Sequence, residues 1–226
     1  MSAGGRKVAA MPPDTLADLP YAATLTRHPG PLAASGDYEG AHFDGLELAS
    51  PQAPSSRFLE CAFTQVSMTG GQLRRARFSD VWLSGVRLSA TELAESSWAC
   101  ATFVNSVLAG VSVHGAGLRQ VAFRGCKLTG VNLRSATLAA VSFENCLLND
   151  VDFAQATLRR CTFRGSQLRQ TDLSHVTLDQ VDLRGAELGL ILTPDSLRGA
   201  TISTDQLIAV APLLAEQAGI VVADGG

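Results

Sequence analysis

Charged residues and long apolar runs are both scarce in this sequence. Only 17% of the 226 residues are charged, and 18 Lys and Arg against 21 Asp and Glu give a formal net charge of −3. This balance excludes the strongly basic composition typical of a protein that binds nucleic acid directly. No apolar run reaches the roughly 18–20 residues of a membrane span, and the residues after Arg6 and Lys7 form no signal-peptide core. We therefore expect a cytoplasmic protein without membrane contact.

Residue patterns that carry catalysis or metal binding are lacking as well. The four His, at 28, 42, 114 and 175, have no ligand-like spacing to one another or to Cys. The sequence contains no Gly-x-Ser-x-Gly nucleophile motif, no Gly-rich phosphate loop and no His-Glu-x-x-His zinc motif. It therefore predicts no enzyme, no metal or other cofactor, and no small-molecule substrate.

What the sequence does have is a period of five residues. Every Phe has a number that leaves a remainder of three on division by five: 43, 58, 63, 78, 103, 123, 143, 153 and 163. Extended from Tyr38 to Leu188, this register gives 31 positions, of which nine are Phe and seventeen are Leu. The position two residues earlier holds mostly Val, Ala, Cys and Ser, and none of the 29 charged residues between 36 and 190 occupies either position. One large and one small inward side chain per unit predict one side of a coil that must stack on its neighbours.

Units such as 131–135 (VNLRS), 151–155 (VDFAQ) and 181–185 (VDLRG) resemble those of the pentapeptide-repeat family. The resemblance implies an all-β solenoid, a right-handed quadrilateral β-helix with four pentapeptides in each 20-residue coil. Several Phe, among them Phe103 and Phe123, are separated by multiples of 20 residues, so their rings are expected to stack. The 31 units then correspond to about eight coils, with Ser-Gly, Thr-Gly and Arg-Gly pairs at the corners.

Four of the five Cys occupy the small inward position: Cys61, Cys126, Cys146 and Cys161. We interpret them as small hydrophobic side chains. Cys126 and Cys146 are one coil apart, but a disulfide between them is not expected in a reducing cytoplasm. Cys100 lies at an outward position and is the one candidate for an accessible thiol.

The period divides the chain into three expected parts. Residues 1–35 are an N-terminal tail that partly caps the solenoid, 36–190 form the pentapeptide-repeat β-helix, and 191–226, where Pro194 ends the period, form a C-terminal cap and dimerisation module. In the tail, four apolar side chains are expected to lie over the open first coil: Leu16, Leu19, Tyr21 and Leu25. The alternative is a disordered leader with Met11 as a second start.

The C-terminal part predicts a short helix. Ser203 and Gln206 have the spacing of a capping box, and Gly219 suits the first position after the helix. Pro212 costs about 3 kcal/mol in a helix interior, so we expect a kink or two helical pieces. Residues 220–222 (IVV) predict a short terminal strand.

This order of helix, Gly219 and short strand resembles the C-terminal ends of the topoisomerase-protecting, fluoroquinolone-resistance type of pentapeptide protein. The resemblance implies a tail-to-tail homodimer, shaped like duplex DNA, that binds DNA gyrase or another type II topoisomerase and protects it against quinolones or toxins. It implies antibiotic resistance by DNA mimicry, without catalysis. The expected dimer interface consists of Leu207, Val210, Leu214, Ile220 and Val222.

The surface charge leaves a second hypothesis open. Segment 36–190 has 15 acids and 14 bases, whereas DNA mimicry needs a negative surface like that of phosphates. The alternative is a binding scaffold for another protein partner, without DNA mimicry. The candidate partner surface combines apolar residues of the uncharged belt 96–118 with acids near the last coil: Val104, Val107, Asp172, Asp179, Asp182 and Glu187. Charges of this kind also stabilise coil stacking, each exposed pair by less than about 1 kcal/mol.

Overall fold

The computed structural model describes residues 13–193 and 195–221, which contain a β-solenoid of stacked coils. Neighbouring coils pair in parallel with an offset of 20 residues, as Phe103 pairs with Phe123 and Leu118 with Leu138. Three sides of each coil are short strands, and the fourth is a single-residue β-bridge. The predicted quadrilateral β-helix of about eight coils with one C-terminal helix is confirmed.

We number the four sides as faces in the order in which the chain visits them. Face 1 consists of Asp37–Glu39, Arg57–Leu59, Arg77–Ser79, Ser97–Ala99, Gly117–Arg119, Thr137–Ala139, Thr157–Arg159 and Thr177–Asp179. Face 2 consists of Thr26–Arg27, Ala41–Asp44, Ala62–Thr64, Trp82–Ser84, Thr102–Val104, Ala122–Arg124 and Ser142–Glu144, continued through a bridge at Thr162 by the pair Val181–Asp182 and Ala200–Thr201. Face 3 consists of Glu47–Ala49, Ser67–Thr69, Arg87–Ser89, Val107–Ala109, Lys127–Thr129, Leu147–Asn149, Gln167–Asp172 and Glu187–Ile191. Face 4 consists of bridges at Gln52, Gln72, Glu92, Ser112, Asn132, Asp152 and Asp172.

A left-handed residue at every fifth position, from 35 to 185, turns the chain from one face to the next, with φ between +47° and +78°. Glycine adopts this conformation freely, and the predicted corners at Gly85 and Gly165 are confirmed. Most corners nevertheless carry a side chain, which costs about 1–2 kcal/mol each. Hydrogen bonds between coils offset this cost, because the N–H of the corner residue donates to a carbonyl of the next coil. The N–H of Ala140, for example, donates to the carbonyl of Arg159 at 2.9 Å.

The inward aromatic rings form continuous columns along the solenoid axis. The ring centroids of Phe103 and Phe123 are 4.7 Å apart, those of Phe123 and Phe143 are 4.9 Å apart, and those of Phe143 and Phe163 are 4.8 Å apart. The spacing of about 4.8 Å between parallel strands imposes these distances. The predicted stacking of residues 20 positions apart is therefore confirmed.

The N-terminal segment lies along the side of the solenoid rather than over its open end. It contains two 3-10 helices, Leu16–Asp18 and Ala22–Thr24. Leu19 and Tyr21 are buried against Ala62 and Trp82 on the outside of face 2, with Leu16 and Leu25 beside them. The expected placement of these four side chains over the first coil is therefore wrong, because the outward Trp82 offers them apolar surface on the side. We call residues 13–25 the strap.

The first coil is instead covered by the residues that follow the strap. Thr26–Arg27 adds a strand to face 2 next to Ala41–Asp44. The ring of His28 packs 4.8 Å from that of Phe43, and Leu32 is buried in the main core. These contacts shield the edge and the inward rings that an open coil would expose.

One α-helix, Thr204–Gln217, follows the last coil, and both of its predicted ends are confirmed. The backbone N–H of Ser203 donates to Oε1 of Gln206 at 2.8 Å, and the N–H of Gln206 donates to Oγ of Ser203 at 3.2 Å. At the other end Gly219 has φ +72°, and the N–H of Ile220 donates to the carbonyl of Ala215 at 2.8 Å.

The helix continues through Pro212 as a single element, so the predicted division into two pieces is wrong. The carbonyl that loses its donor belongs to Ile208, which is 68% exposed, so water can replace the missing N–H. Ile220 and Val221 form no strand in the structure. Val222 and Pro194 lie outside the described residues.

Candidate interaction surfaces

A row of outward positions on face 2 forms an apolar groove beneath the strap. The side chains at 62, 82, 102 and 122 point away from the core, yet all four are buried: Ala62, Trp82, Thr102 and Ala122. Beyond them, Ser142 is half-buried and Thr162 is exposed. The buried row therefore extends over four coils.

The strap is held in the groove mainly by side chains. The indole N–H of Trp82 donates to the carbonyl of Pro13 at 3.3 Å, and Asp14 forms an ion pair with Arg124. Nε of Arg124 also lies 3.3 Å from a carboxylate oxygen of Glu144. Burial raises the pKa of Tyr21, because the phenolate would lose its water inside the groove.

The two apolar residues of the expected partner surface lie on different faces. Val104 is on face 2 and packs, half-buried, in the cluster formed with the strap. Val107 is on face 3 and is 37% exposed. The structure therefore does not bring the two together, and Val104 is already covered by this chain's own strap.

The four acids of the expected partner surface are also separated. Asp172 lies on face 4, Asp179 on face 1, Asp182 on face 2 and Glu187 on face 3. They encircle the end of the solenoid instead of lining one side of it. Sequence separations of less than 20 residues place charges around one coil, whereas separations of 20 align them along a face.

Every face carries charges of both signs. On each face of segment 36–190, acids and bases are equal in number or differ by one. Several bases pair with acids of the neighbouring coil, as Arg57 does with Asp37 and Arg134 with Asp152, each at 2.9 Å. None of the four faces is therefore a continuous negative stripe.

The expected dimer residues divide between buried and exposed positions. Val210 is 3% exposed and turned into its own solenoid, and Leu214 is half-buried against the core. Leu207 is 48% and Ile220 60% exposed, while Val222 lies outside the described residues. The expected interface left out Ile208, an apolar residue of the same helix, which is 68% exposed and adds to the same apolar end.

A sequence profile of the pentapeptide repeat region matches residues 54–133, 96–173 and 136–191, which together cover more than half of the chain. The chain belongs to the pentapeptide repeat family. No curated protein matches it. Several pentapeptide repeat proteins of known structure are similar to it at low sequence identity.

One such structure is trypsin-treated QnrB1, a plasmid-mediated fluoroquinolone resistance protein, which is 19% identical, with a TM-score of 0.43 over 80% of this chain and 100% of QnrB1. A second is HetL of Nostoc sp. strain PCC 7120, involved in heterocyst differentiation regulation, which is 18% identical, with a TM-score of 0.30 over 75% of this chain and 90% of HetL. A pentapeptide repeat protein from the Arabidopsis thaliana thylakoid lumen is 20% identical, with a TM-score of 0.32 over 49% of this chain and 71% of its own.

The acidic or amide residue in the second position of a pentapeptide has a structural role here. Oδ1 of Asp152 accepts a hydrogen bond from the N–H of Ala154 at 2.7 Å, and Oδ1 of Asp172 accepts from Ser174 at 2.8 Å. These bonds close turns within the unit on face 4. Asp172 is therefore engaged in its own coil as well as being a candidate for partner contact.

Asp182 provides a test of the charge on such a turn. Its side-chain hydrogen bond to Arg184 lowers the pKa of its carboxyl to about 2, below the roughly 3.9 of an unfolded Asp. Asp182→Asn keeps an oxygen for the N–H of Arg184, 3.0 Å away, but removes the charge. We expect the variant to melt less than about 3 °C below the wild type at pH 7, because the ion pair is exposed.

The pH dependence of this difference follows from the lowered pKa. The stabilisation by ionised Asp182 is present above about pH 4 and is lost as the pH falls toward 2, so the two melting temperatures should converge there. Thermal melts of both proteins between pH 2 and 7 check this. A difference that stays constant over the whole range would contradict it.

The cysteines lie where the period places them. The four inward Cys are buried and Cys100 is exposed at a corner, all as free thiols. Burial raises the pKa of Cys61 and of Cys161 to about 11, so these thiols are protonated at neutral pH.

Among residues 13–193 and 195–221, no group of His, Cys, Asp and Glu has the arrangement of a metal site. No helix in the same residues is long and apolar enough to cross a membrane.

Cys126→Ala tests the interpretation of the inward cysteines as packing residues. We expect the free energy of unfolding to fall by only about 1–2 kcal/mol, because one small side chain replaces another. Chemical denaturation followed by circular dichroism measures the change, and Cys161→Ala serves as the matched variant at another buried Cys. A loss above about 4 kcal/mol for Cys126 alone would indicate that its thiol does more than fill space.

Proposed function

We propose that this pentapeptide repeat protein is a non-enzymatic interaction scaffold of the cytoplasm, whose solenoid binds another protein. The mixed charge of every face carries this proposal. Such a surface offers ordered acids, bases and small apolar residues along four straight faces, which favours selective protein contact. It lacks the extended negative potential on which a DNA mimic depends.

A second candidate function is protection of a type II topoisomerase by a dimer of two rods joined at their C-terminal ends. The exposed apolar side chains at that end favour it, namely Leu207, Ile208 and Ile220. All three side chains are exposed, and two-fold association is the usual way to bury such a patch. Val210 is excluded from this proposed interface because it is buried within its own chain.

Dimerisation is tested by the mass of the protein in solution. We expect sedimentation at tens of micromolar to give about twice the 23.7 kDa of one chain. The double variant Leu207→Asp and Ile220→Asp should sediment as a monomer, because two carboxylates would be buried in the contact. The control is Val107→Asp on face 3, an equally drastic change of an exposed apolar residue, which should leave the dimer intact. Monomeric wild-type protein would rule the dimer out.

The two functions are separated by assays with purified DNA gyrase. A topoisomerase-protecting dimer should alter supercoiling or reduce quinolone-stabilised cleavage, and the monomeric double variant should not. A scaffold should leave gyrase unaffected, yet form a stoichiometric, salt-sensitive complex with a partner from its host. The proposal fails if neither gyrase nor a stoichiometric partner responds to the protein.

A further inference from the structure

We propose that the groove formed by Ala62, Trp82, Thr102 and Ala122 on face 2 is a peptide-binding site, which the strap closes in the free protein and which an acidic, apolar segment of a partner occupies in its place. This inference deepens the proposed scaffold function by naming the surface and the kind of partner. The groove, the mode of attachment of the strap, and the chemistry of the strap each support it.

The groove is formed by equivalent outward positions of successive coils. Its four residues occupy the same position in four successive coils, so they lie in a straight row at intervals of about 4.8 Å. Three are small and one is a Trp, and all four are buried. The equivalent positions on the other faces are exposed or half-buried wherever no segment covers them, as Arg87 and Val107 are on face 3.

The strap is attached in a way that a competing segment can replace. Its backbone hydrogen bonds are internal turns, such as that from the N–H of Asp18 to the carbonyl of Thr15 at 3.1 Å. In the part of the chain that the structure describes, no backbone hydrogen bond joins residues 13–25 to a strand of face 2. Leu19 and Tyr21 form a cluster with Ala62 and Trp82 that is separate from the main core. Removal of the strap therefore leaves the coil-to-coil ladder intact.

The strap itself indicates what the groove recognises. Residues 13–25 (PDTLADLPYAATL) contain two acids and no base. Asp14 pairs with Arg124 at one end of the groove, while Leu19 and Tyr21 fill the apolar part five and seven residues later. A ligand of the same chemistry has a carboxylate followed at this distance by Leu and an aromatic residue.

The test measures binding of a labelled peptide, with the sequence of residues 13–25, to the full-length protein. In the wild type the attached strap competes at high effective concentration. We expect Leu19→Asp with Tyr21→Asp to release the strap and to bind the peptide at least tenfold more tightly than the wild type does. Adding Trp82→Ala to this variant should weaken binding at least tenfold. A control peptide with Ser in place of Leu19 and Tyr21 should not bind.

A second variant covers a failure of the first to fold. Asp14→Arg replaces the ion pair with Arg124 by two like charges and leaves the apolar residues of the strap unchanged. It should bind the peptide at least threefold more tightly than the wild type. The proposal is overturned if a cooperatively melting strap variant binds no better than the wild type, or if Trp82→Ala has no effect. Because a host partner and gyrase are assayed separately with wild-type protein, a negative peptide result beside an intact partner complex rejects the groove and retains the scaffold. Peptide binding without any partner complex retains the groove and rejects the scaffold.

Discussion

Phe123→Asp is expected to abolish folding of the solenoid. Phe123 is buried between Phe103 and Phe143, with ring centroids 4.7 and 4.9 Å away, and it is 5% exposed. A carboxylate at this position would lose its water without gaining a partner, at a cost of several kcal/mol. That cost is comparable to the total stability of about 5–15 kcal/mol of a typical domain. Each coil also depends on its neighbours, so the defect spreads in both directions.

Expression yield in the soluble fraction and the thermal melt followed by circular dichroism measure this effect. The matched control is Lys127→Asp, which introduces the same carboxylate into the same coil at an exposed position of face 3. That variant should remain soluble and melt within a few degrees of the wild type. A soluble Phe123→Asp protein with a cooperative transition would contradict the inward register of the whole repeat.

Gln206→Ala is expected to detach the C-terminal helix from the last coil. Nε2 of Gln206 donates to the carbonyls of Leu183 at 2.6 Å and Ala186 at 2.7 Å. One coil earlier, the carbonyl of Ser166 accepts instead from the N–H of Glu187 in the next coil. The Gln206 amide therefore replaces part of the ladder that a further coil would supply. Two buried carbonyls without donors cost about 1–3 kcal/mol each.

Hydrogen exchange of the helix measures this detachment. We expect the amides of residues 204–217 to exchange about 10²–10³-fold faster in Gln206→Ala, while those of the central coils change little. Asp205→Ala serves as the control, because it alters the neighbouring exposed residue of the same first turn. If exchange in the helix is the same in both variants, the Gln206 hydrogen bonds do not hold the helix in place.

The sequence by itself determined the inward and outward sides of the solenoid. A five-residue period is a local property, because each unit must bury its large and small side chain regardless of what lies elsewhere in the chain. For the same reason the ends of the C-terminal helix were predictable, since the capping box at Ser203 and the turn at Gly219 involve only residues within one turn. The stacking of Phe103 on Phe123 followed once the coil length was known.

The sequence also held a signal for the groove that prediction overlooked. One outward row of face 2, which runs from His42 to Thr162 at intervals of 20, carries no formal charge and includes the large Trp82. The equivalent series on the other three faces contains acids or bases, such as Arg77 on face 1 and Glu92 on face 4. A charge-free row that includes one outward indole indicates that something covers it.

Only the tertiary structure decided what lies against the outside of the solenoid. The strap has no period, so its sequence could place Leu19 and Tyr21 at the open end or along a side, and long-range packing on Trp82 selects the side. At the other end of the solenoid, packing of the C-terminal helix against the last coil buries Val210 and leaves Leu207 exposed, although both are apolar residues of one helix. The acids near the last coil are separated because their spacing carries them around its corners. Contacts between segments distant in sequence are set by burial of complementary surfaces, which no local pattern of residues specifies.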